Sequence, residues 1–217
     1  MQIPLHIFIL LTAYLFGSLP SAVWIGKIFY GIDVREHGSG NAGATNVFRV
    51  IGKGAGIPVL LSDILKGWIA VKLSYFVADM LSKEELVSLQ LSLGAAAIIG
   101  HIYPVLASFK GGKGVATLLG VTLAIHPLSA LVGIGVFIFI LLTTHYVSIS
   151  SITAGLSFPI SILILFPTSS STLVLFSLLT PAIILVTHQK NIERLLKKEE
   201  SKIYLFKKKT KSKVAEE

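Results

Sequence analysis

The sequence predicts an all-α integral membrane protein, a bundle of seven transmembrane helices with its N-terminus outside and its C-terminus in the cytoplasm. Three observations predict it. The 217 residues are 53% hydrophobic and only 14% charged, whereas an ordinary soluble domain carries about 25% charged residues. Mean hydropathy is +0.79, and the apolar residues come in long blocks that match the demands of a bilayer. The basic residues lie between those blocks with a pronounced sidedness.

The first block, residues 3–28, lacks both a basic leader and a short apolar core followed by a cleavage site, so it reads as a first helix and not as a signal peptide. A polar loop at 31–55 follows, then blocks at 56–80 and 84–107. The next block, 114–146, is too long for one span: at ~1.5 Å per residue it would reach about 50 Å, against a hydrocarbon core of ~30 Å. "AIHPLS" supplies the break, because Pro127 suits the first turn of a new helix and disfavours helical geometry at His126. The first of the resulting pair, near 114–125, is short and is expected to be tilted or partly re-entrant. Blocks at 148–166 and 171–188 complete the set.

Parity supports the split. Seven crossings with the N-terminus outside place Arg35, Arg49, Lys53, Lys110, Lys113 and the basic tail on one side, leaving Lys83 nearly alone on the other. Six crossings would turn the tail outward. The sequence therefore divides into one membrane domain at 1–196 and a basic cytoplasmic tail at 197–217. Ten of the nineteen basic residues follow residue 188, a placement that suits anionic lipid on the cytoplasmic side rather than nucleic acid. The chain has no cysteine, which excludes disulfides, thiolate metal sites and a covalent thioester mechanism. No metal site is evident and no cofactor is expected.

Four polar segments converge on the predicted cytoplasmic face: the 31–55 loop, "ASFKGGKG", "THYVSISS" and the start of the tail. The first contains the string G-x-G-x-x-G as Gly38, Gly40 and Gly43. The context argues against a dinucleotide fold, since the string follows a membrane helix and lacks the strand and the downstream acidic residue that such a fold requires. "GGKGVAT" resembles a phosphate loop but carries Gly114 where Ser or Thr should follow the lysine, and Ala107 where the first glycine should stand. Both strings share one physical property: glycines let backbone N–H groups approach phosphate oxygens, and neighbouring cations supply charge. Gly38, Ser39, Gly40, Asn41 and Gly43 with Arg49 make one candidate anion cradle; Lys110, Gly111, Gly112, Lys113 and Gly114 make a second. Either loop alone is explained by tight turns and topology-setting lysines. Two on one face favour phosphate chemistry.

In "THQKNIERLLKKEE", His188 and Asn191 are three residues apart and share a helix face. An amphipathic helix leaving the membrane explains the leucines and lysines but not the histidine and asparagine at its mouth. Asp63 and Lys66 are spaced to pair on the second block's helix, with a structural ion pair favoured over a role at the floor of a site. Lys72 is placed to snorkel. His101 could orient the second loop, while His6, His126 and His145 read as interfacial.

The stretches "GSGNAGATNVFR", "GHIYPVLASFKGGKGVAT" and "THQKNIERLL" resemble, in the same order, the three signature motifs of the bacterial acyl-phosphate:glycerol-3-phosphate acyltransferases (PlsY). The resemblance implies a seven-helix enzyme of the bacterial plasma membrane. Such an enzyme moves a fatty acyl group from acyl phosphate to the sn-1 hydroxyl of glycerol 3-phosphate, giving lysophosphatidate and inorganic phosphate. It implies that Ser39, Arg49, Lys113, His188 and Asn191 line the pocket, that Ser148 is a further polar position, and that the enzyme making acyl phosphate is a partner. Two departures stand in the third motif: Gln189 replaces an arginine, and Lys198 stands where the family has glycine before a glutamate aligned with Glu200.

Acyl phosphate is already activated, so direct attack by the hydroxyl suffices, with Arg49 and Lys113 on phosphoryl oxygens. His188 could be the general base or an orienting donor, and a substrate phosphate oxygen could also take the proton. Asn191 could bind glycerol phosphate or bridge helix ends. The acyl chain is expected along an apolar face such as residues 175–186. Competing readings are a small anion transporter, which should show repeated halves, and an acyl-CoA acyltransferase of the H-x4-D type, whose His–Asp pair the sequence lacks.

Overall fold

The computed structural model describes residues 2–203, and all regular structure among them is helical. The helices are α1 (Gln2–Gly17), α2 (Ser21–Tyr30), α3 (Ala44–Val50), α4 (Lys53–Lys72) and α5 (Lys83–Ile102), then α6 (Val115–Ile125), α7 (Pro127–Thr144), α8 (Val147–Ile160), α9 (Ser171–Thr187) and α10 (Gln189–Leu196). Short 3-10 turns at Leu73–Met80 and elsewhere, and a π-turn at Ser161–Leu165 just past Pro159, join them. The tail expected at 197–217 lies mostly outside the described residues.

Four helical stretches are long and apolar enough to cross a membrane, among them Lys53–Met80 and Pro127–Thr144. The pairs α1–α2 and α9–α10 are bent by 42° and 61°, and each pair qualifies only if taken as one span. The break between α6 and α7 falls at Pro127, as its ring geometry dictates. The 11 residues of α6 rise only ~16 Å, about half the hydrocarbon thickness.

The first apolar block is not one helix. Leu19 precedes Pro20, whose ring opposes helical geometry there, and the chain breaks between Gly17 and Ser21. Burial is inverted relative to a soluble protein. Phe8, Ile28, Phe76, Phe139 and Val186 are exposed on the outside, whereas many serines and threonines lie within the bundle. Close helix crossings rest on small residues, the usual device where the hydrophobic effect between helices is absent. A Cβ on Gly67 of α4 would lie 2.2 Å from the Thr117 carbonyl oxygen, and one on Gly120 of α6 would lie 1.9 Å from that of Ile64. The two glycines thus let α4 and α6 touch backbone to backbone.

The bundle has two unlike ends. At one, Ser82 and Glu85 form a reciprocal capping box that starts α5, and Ser170 donates to Glu84 at 2.8 Å. Lys72 lies in the same region, its Nζ 4.8 Å from the Tyr75 ring and 5.3 Å from that of Trp68. The other end carries the loops between α2 and α4, α5 and α6, and α7 and α8, together with α10.

Candidate active site

The first glycine loop is shaped by Asn46, buried on α3. Its amide donates to the carbonyls of Val34 (2.7 Å) and His37 (3.0 Å), and its Oδ1 accepts from the Ser39 N–H (2.9 Å). Gly38 and Gly40 have φ of 61° and 70°, the left-handed region where a side chain is strained. Among the described residues nothing accepts from the N–H groups of Gly43 and Ala44, which open α3. Asp33 accepts from Arg35 (2.8 and 3.0 Å) and pairs with Lys27 (3.0 Å); the bond from Arg35 above all holds its carboxyl well below the usual range. Arg35 also donates to the Ala107 carbonyl at 3.0 Å, tying this loop to the next.

The second loop folds back on the end of α5. The Gly111 N–H donates to the Ile102 carbonyl (3.2 Å) and the Gly112 N–H to that of His101 (3.1 Å). These bonds satisfy carbonyls that α5 leaves without partners at its C-terminus. The N–H groups that the sequence suggested for an anion are therefore used within the fold at these two positions. Glycine is required here for close approach, since a Cβ on Gly111 would lie 2.0 Å from the His101 carbonyl oxygen. Gly114, at φ 81°, starts α6, and among the described residues nothing accepts from its N–H or that of Lys113. Lys110 is exposed, whereas Lys113 turns inward.

Lys113 Nζ donates to Asn191 Oδ1, joining residues 78 apart. Asn191 Nδ2 donates to Glu200 (2.7 Å), and Arg194 Nε donates to the other carboxylate oxygen (2.9 Å). Burial lowers the Lys113 pKa to about 8; Glu200 works to raise it, while Arg194 and Arg49 lower it further. Burial works to raise the Glu200 carboxyl, but Asn191, Ser148 and Arg194 outweigh it and hold the group below its ordinary value. Ser148, buried on α8, thus faces the same cluster. His188 is buried at the bend between α9 and α10. Its Nδ1 lies 2.8 Å from the Ile184 carbonyl; a carbonyl only accepts, so Nδ1 carries the proton and the neutral ring leaves the Nε2 lone pair free.

The Lys198 departure has a structural explanation. The Lys198 N–H donates to the Leu195 carbonyl (3.1 Å) and the Glu199 N–H to that of Arg194 (2.7 Å), a Schellman turn closing α10. Lys198 occupies its left-handed position at φ 60°, where glycine is favoured. The turn forms with lysine and delivers Glu200 to Asn191 and Arg194. Beyond it the Ile203 N–H donates to the His145 carbonyl at 2.8 Å. His145 and His126 have local structural parts: the first ends α7 at φ 62°, and the second caps α7 through the Ser129 N–H.

A small, mostly apolar groove between α5, α6 and α9 is lined by Lys113 and Gly114 together with Ile98, Leu118, Phe176 and Ile184. Beneath the second loop lies the Asp63–Lys66 ion pair at 2.9 Å, both side chains buried. Asp63 also accepts from Ser21 at 2.7 Å, and Lys66 donates to the Leu19 carbonyl at 3.0 Å.

The structure therefore brings together Lys113, Asn191, His188 and Ser148, with Arg49 exposed nearby on α3. Ser39, Asn41 and Gly43 lie in the adjoining loop. Asn46, Asp33, Arg35 and Arg194 were missed as organisers. Asn46 belongs to the first motif and offers both donors and an acceptor, but only tertiary contacts reveal what they bind.

The glycerol-3-phosphate acyltransferase family model matches residues 7–198. The chain is 43% identical over 199 residues to glycerol-3-phosphate acyltransferase 2 of Bacillus anthracis, covering 92% of this chain and 100% of that protein. It is 45% identical to the glycerol-3-phosphate acyltransferase of Geobacillus kaustophilus, covering 90% and 94%. Crystal structures of PlsY (YgiH), an integral membrane glycerol 3-phosphate acyltransferase, superpose with TM-scores of 0.82 for the glycerol 3-phosphate form and 0.78 for the lysophosphatidic acid form. Identity to each is 36%, over 92% of this chain and 96% and 95% of those chains. The chain belongs to the family of integral-membrane glycerol-3-phosphate acyltransferases.

Proposed function

We propose that the enzyme transfers a fatty acyl group from acyl phosphate to the sn-1 hydroxyl of glycerol 3-phosphate, releasing inorganic phosphate, at the cytoplasmic face of a seven-span bundle in the bacterial plasma membrane. One observation carries this reading most: the Lys113–Asn191 contact joins the second glycine loop to the third motif at the mouth of an apolar groove. A cation and a carboxamide for the head group stand beside a surface for the acyl chain. The sidedness of the basic loops supports the orientation, and the tail would then lie against anionic lipid. The enzyme that supplies acyl phosphate is its natural neighbour.

The hydroxyl oxygen of glycerol 3-phosphate attacks the acyl carbonyl carbon, the new ester C–O bond forms, and the bond to the phosphoryl oxygen breaks with phosphate as leaving group. Lys113 and Arg49 hold phosphoryl oxygens of the two substrates, Lys113 those of glycerol 3-phosphate among them, and offset the developing charge. Ser39, Asn41 and the N–H groups of Gly43 and Ala44 complete one anion site beside Gly38 and Gly40, and the N–H group of Gly114 completes the other beside Lys113. Ser148 and Asn191 orient the glycerol moiety. The hydroxyl proton passes to His188 Nε2, which the Nδ1 bond leaves unprotonated.

The test is formation of lysophosphatidate and release of phosphate by purified enzyme given palmitoyl phosphate and glycerol 3-phosphate, beside a parallel acyl-CoA reaction. Turnover with acyl phosphate alone, lost in Lys113→Ala, is expected. Turnover with acyl-CoA alone would overturn the donor assignment.

A further inference from the structure

Asp63, Lys66 and His101 lie inside the bundle, beyond the groups that the proposed reaction uses. Charges there are costly, and well-packed apolar residues of similar volume often serve stability as well or better. The cluster also has no free charge to offer a ligand. Lys66 is engaged by Asp63 at 2.9 Å and by the Leu19 carbonyl at 3.0 Å, and Asp63 in addition accepts from Ser21. What distinguishes the cluster is what it supports. The His101 ring stands between Asp63 and the second glycine loop, with Nδ1 3.6 Å from Asp63 Oδ1. Its Nε2 lies only 2.2 Å from where a Gly112 Cβ would be. The carbonyl of the same residue accepts from the Gly112 N–H at 3.1 Å. Gly112 is thus held by one residue through both its ring and its backbone, and the next residue in the chain is Lys113.

We propose that Asp63, Lys66 and His101 are positioning residues: a buried ion pair fixes the His101 ring, the ring fixes Gly112, and Gly112 sets where Lys113 meets the phosphate of glycerol 3-phosphate. The proposal rests on the reading of Lys113 as a phosphate ligand. It explains why glycine alone fits at Gly112, and why an ion pair lies directly below a loop whose own cation points elsewhere, to Asn191.

The experiment is a coupled set of variants, read by direct binding of glycerol 3-phosphate and by KM and kcat. Gly112→Ala and His101→Ala should each weaken binding about tenfold and raise KM in proportion. Because a smaller side chain at position 101 makes room for the new Cβ, the double variant should bind no worse than the weaker single, against roughly a hundredfold loss if the sites were independent. Gly111→Ala is the control, since it meets the His101 carbonyl at 2.0 Å and removing the ring gives it no relief. Replacing the pair together, Asp63→Asn with Lys66→Met, should weaken binding like His101→Ala and add less than about twofold to it. If His101→Ala does not yield monodisperse protein, His101→Asn serves in its place. Independent losses in the double variant, or a fall in thermal stability with binding unchanged, overturns the proposal. Lys113→Ala separates the two ideas: if it leaves binding intact, the phosphate-ligand reading fails; if it weakens binding while the His101 and Gly112 variants do not, the footing fails.

Discussion

The loop at residues 37–46 takes its shape from a side chain, whereas the loop at 104–114 takes its shape from the end of a neighbouring helix. Asn46 satisfies the Val34 and His37 carbonyls and the Ser39 N–H, and among the described residues the N–H groups of Gly43 and Ala44 at the start of α3 have no acceptor. In the second loop the N–H groups of Gly111 and Gly112 close off α5, and in the proposed reaction the anion falls to the lysine that follows. Two glycine strings that look alike therefore supply different things. The first offers backbone donors, and the second fixes the position of a cation.

The sharpest way to break this comparison is to remove the cation. Lys113→Met should lower kcat/KM by about 10²–10³-fold, on the order of 3–4 kcal/mol, as loss of a preorganised charge does. Lys110→Met, at an exposed position three residues earlier, should stay within about threefold by the same measure. Equal losses would show that the loop works through its general charge and not through the position of Lys113.

For the first loop the corresponding change is Asn46→Ala. It strips partners from the Val34 and His37 carbonyls and the Ser39 N–H at a buried position, and should cost about 3 kcal/mol or more at ~1–3 kcal/mol per unsatisfied group. Thermal unfolding in detergent reads the loss, and the KM for glycerol 3-phosphate should rise with it. Asn46→Asp keeps the acceptor but sets a carboxylate oxygen against two carbonyls where the amide donated, so it should cost at least as much as Asn46→Ala.

A smaller effect separates the loops by pH. Burial lowers the Lys113 pKa to about 8, so the cation is roughly nine-tenths present at pH 7 and half present near pH 8, where an ordinary lysine remains charged. The proposed phosphate contact needs the cationic form, so kcat/KM should fall as pH rises through about 8, because that ratio reports the free enzyme. Lys113→Arg, whose guanidinium stays protonated, should lose that limb whatever its absolute rate.

Much of the fold was legible because bilayer spans need long apolar runs, and because Pro127 breaks helices by its own covalent geometry. The break in the first block was equally written, in the run from Gly17 to Pro20, but was masked by the hydropathy on both sides. The site was legible as residue types and not as contacts. Lys113 and Asn191 are 78 positions apart, and no local periodicity relates them. The expectation that His188 and Asn191 share one continuous helix face also needed revision. The chain bends by 61° at His188, so the two are brought to the site by a corner, with His188 closing α9 and Asn191 in the first turn of α10.

The smallest predicted effect concerns how that corner is finished. Lys198 holds the left-handed position of a Schellman turn at φ 60°, a conformation that costs an L-residue about 1–2 kcal/mol. The cost is borne because the turn returns Glu200 to Asn191 and Arg194. Lys198→Gly relieves the strain but widens the unfolded ensemble, so the net gain should be about 1 kcal/mol or less. It should appear as a small rise in thermal midpoint with kcat/KM unchanged. Lys198→Val should do the reverse, since a β-branched side chain tolerates that conformation least. The pair of variants asks whether the third segment resembles the first loop or the second. If activity follows stability, the turn positions Asn191 and Lys113 as the end of α5 positions Gly112; if stability moves alone, Asn191 is held by its own helix and the turn only closes it.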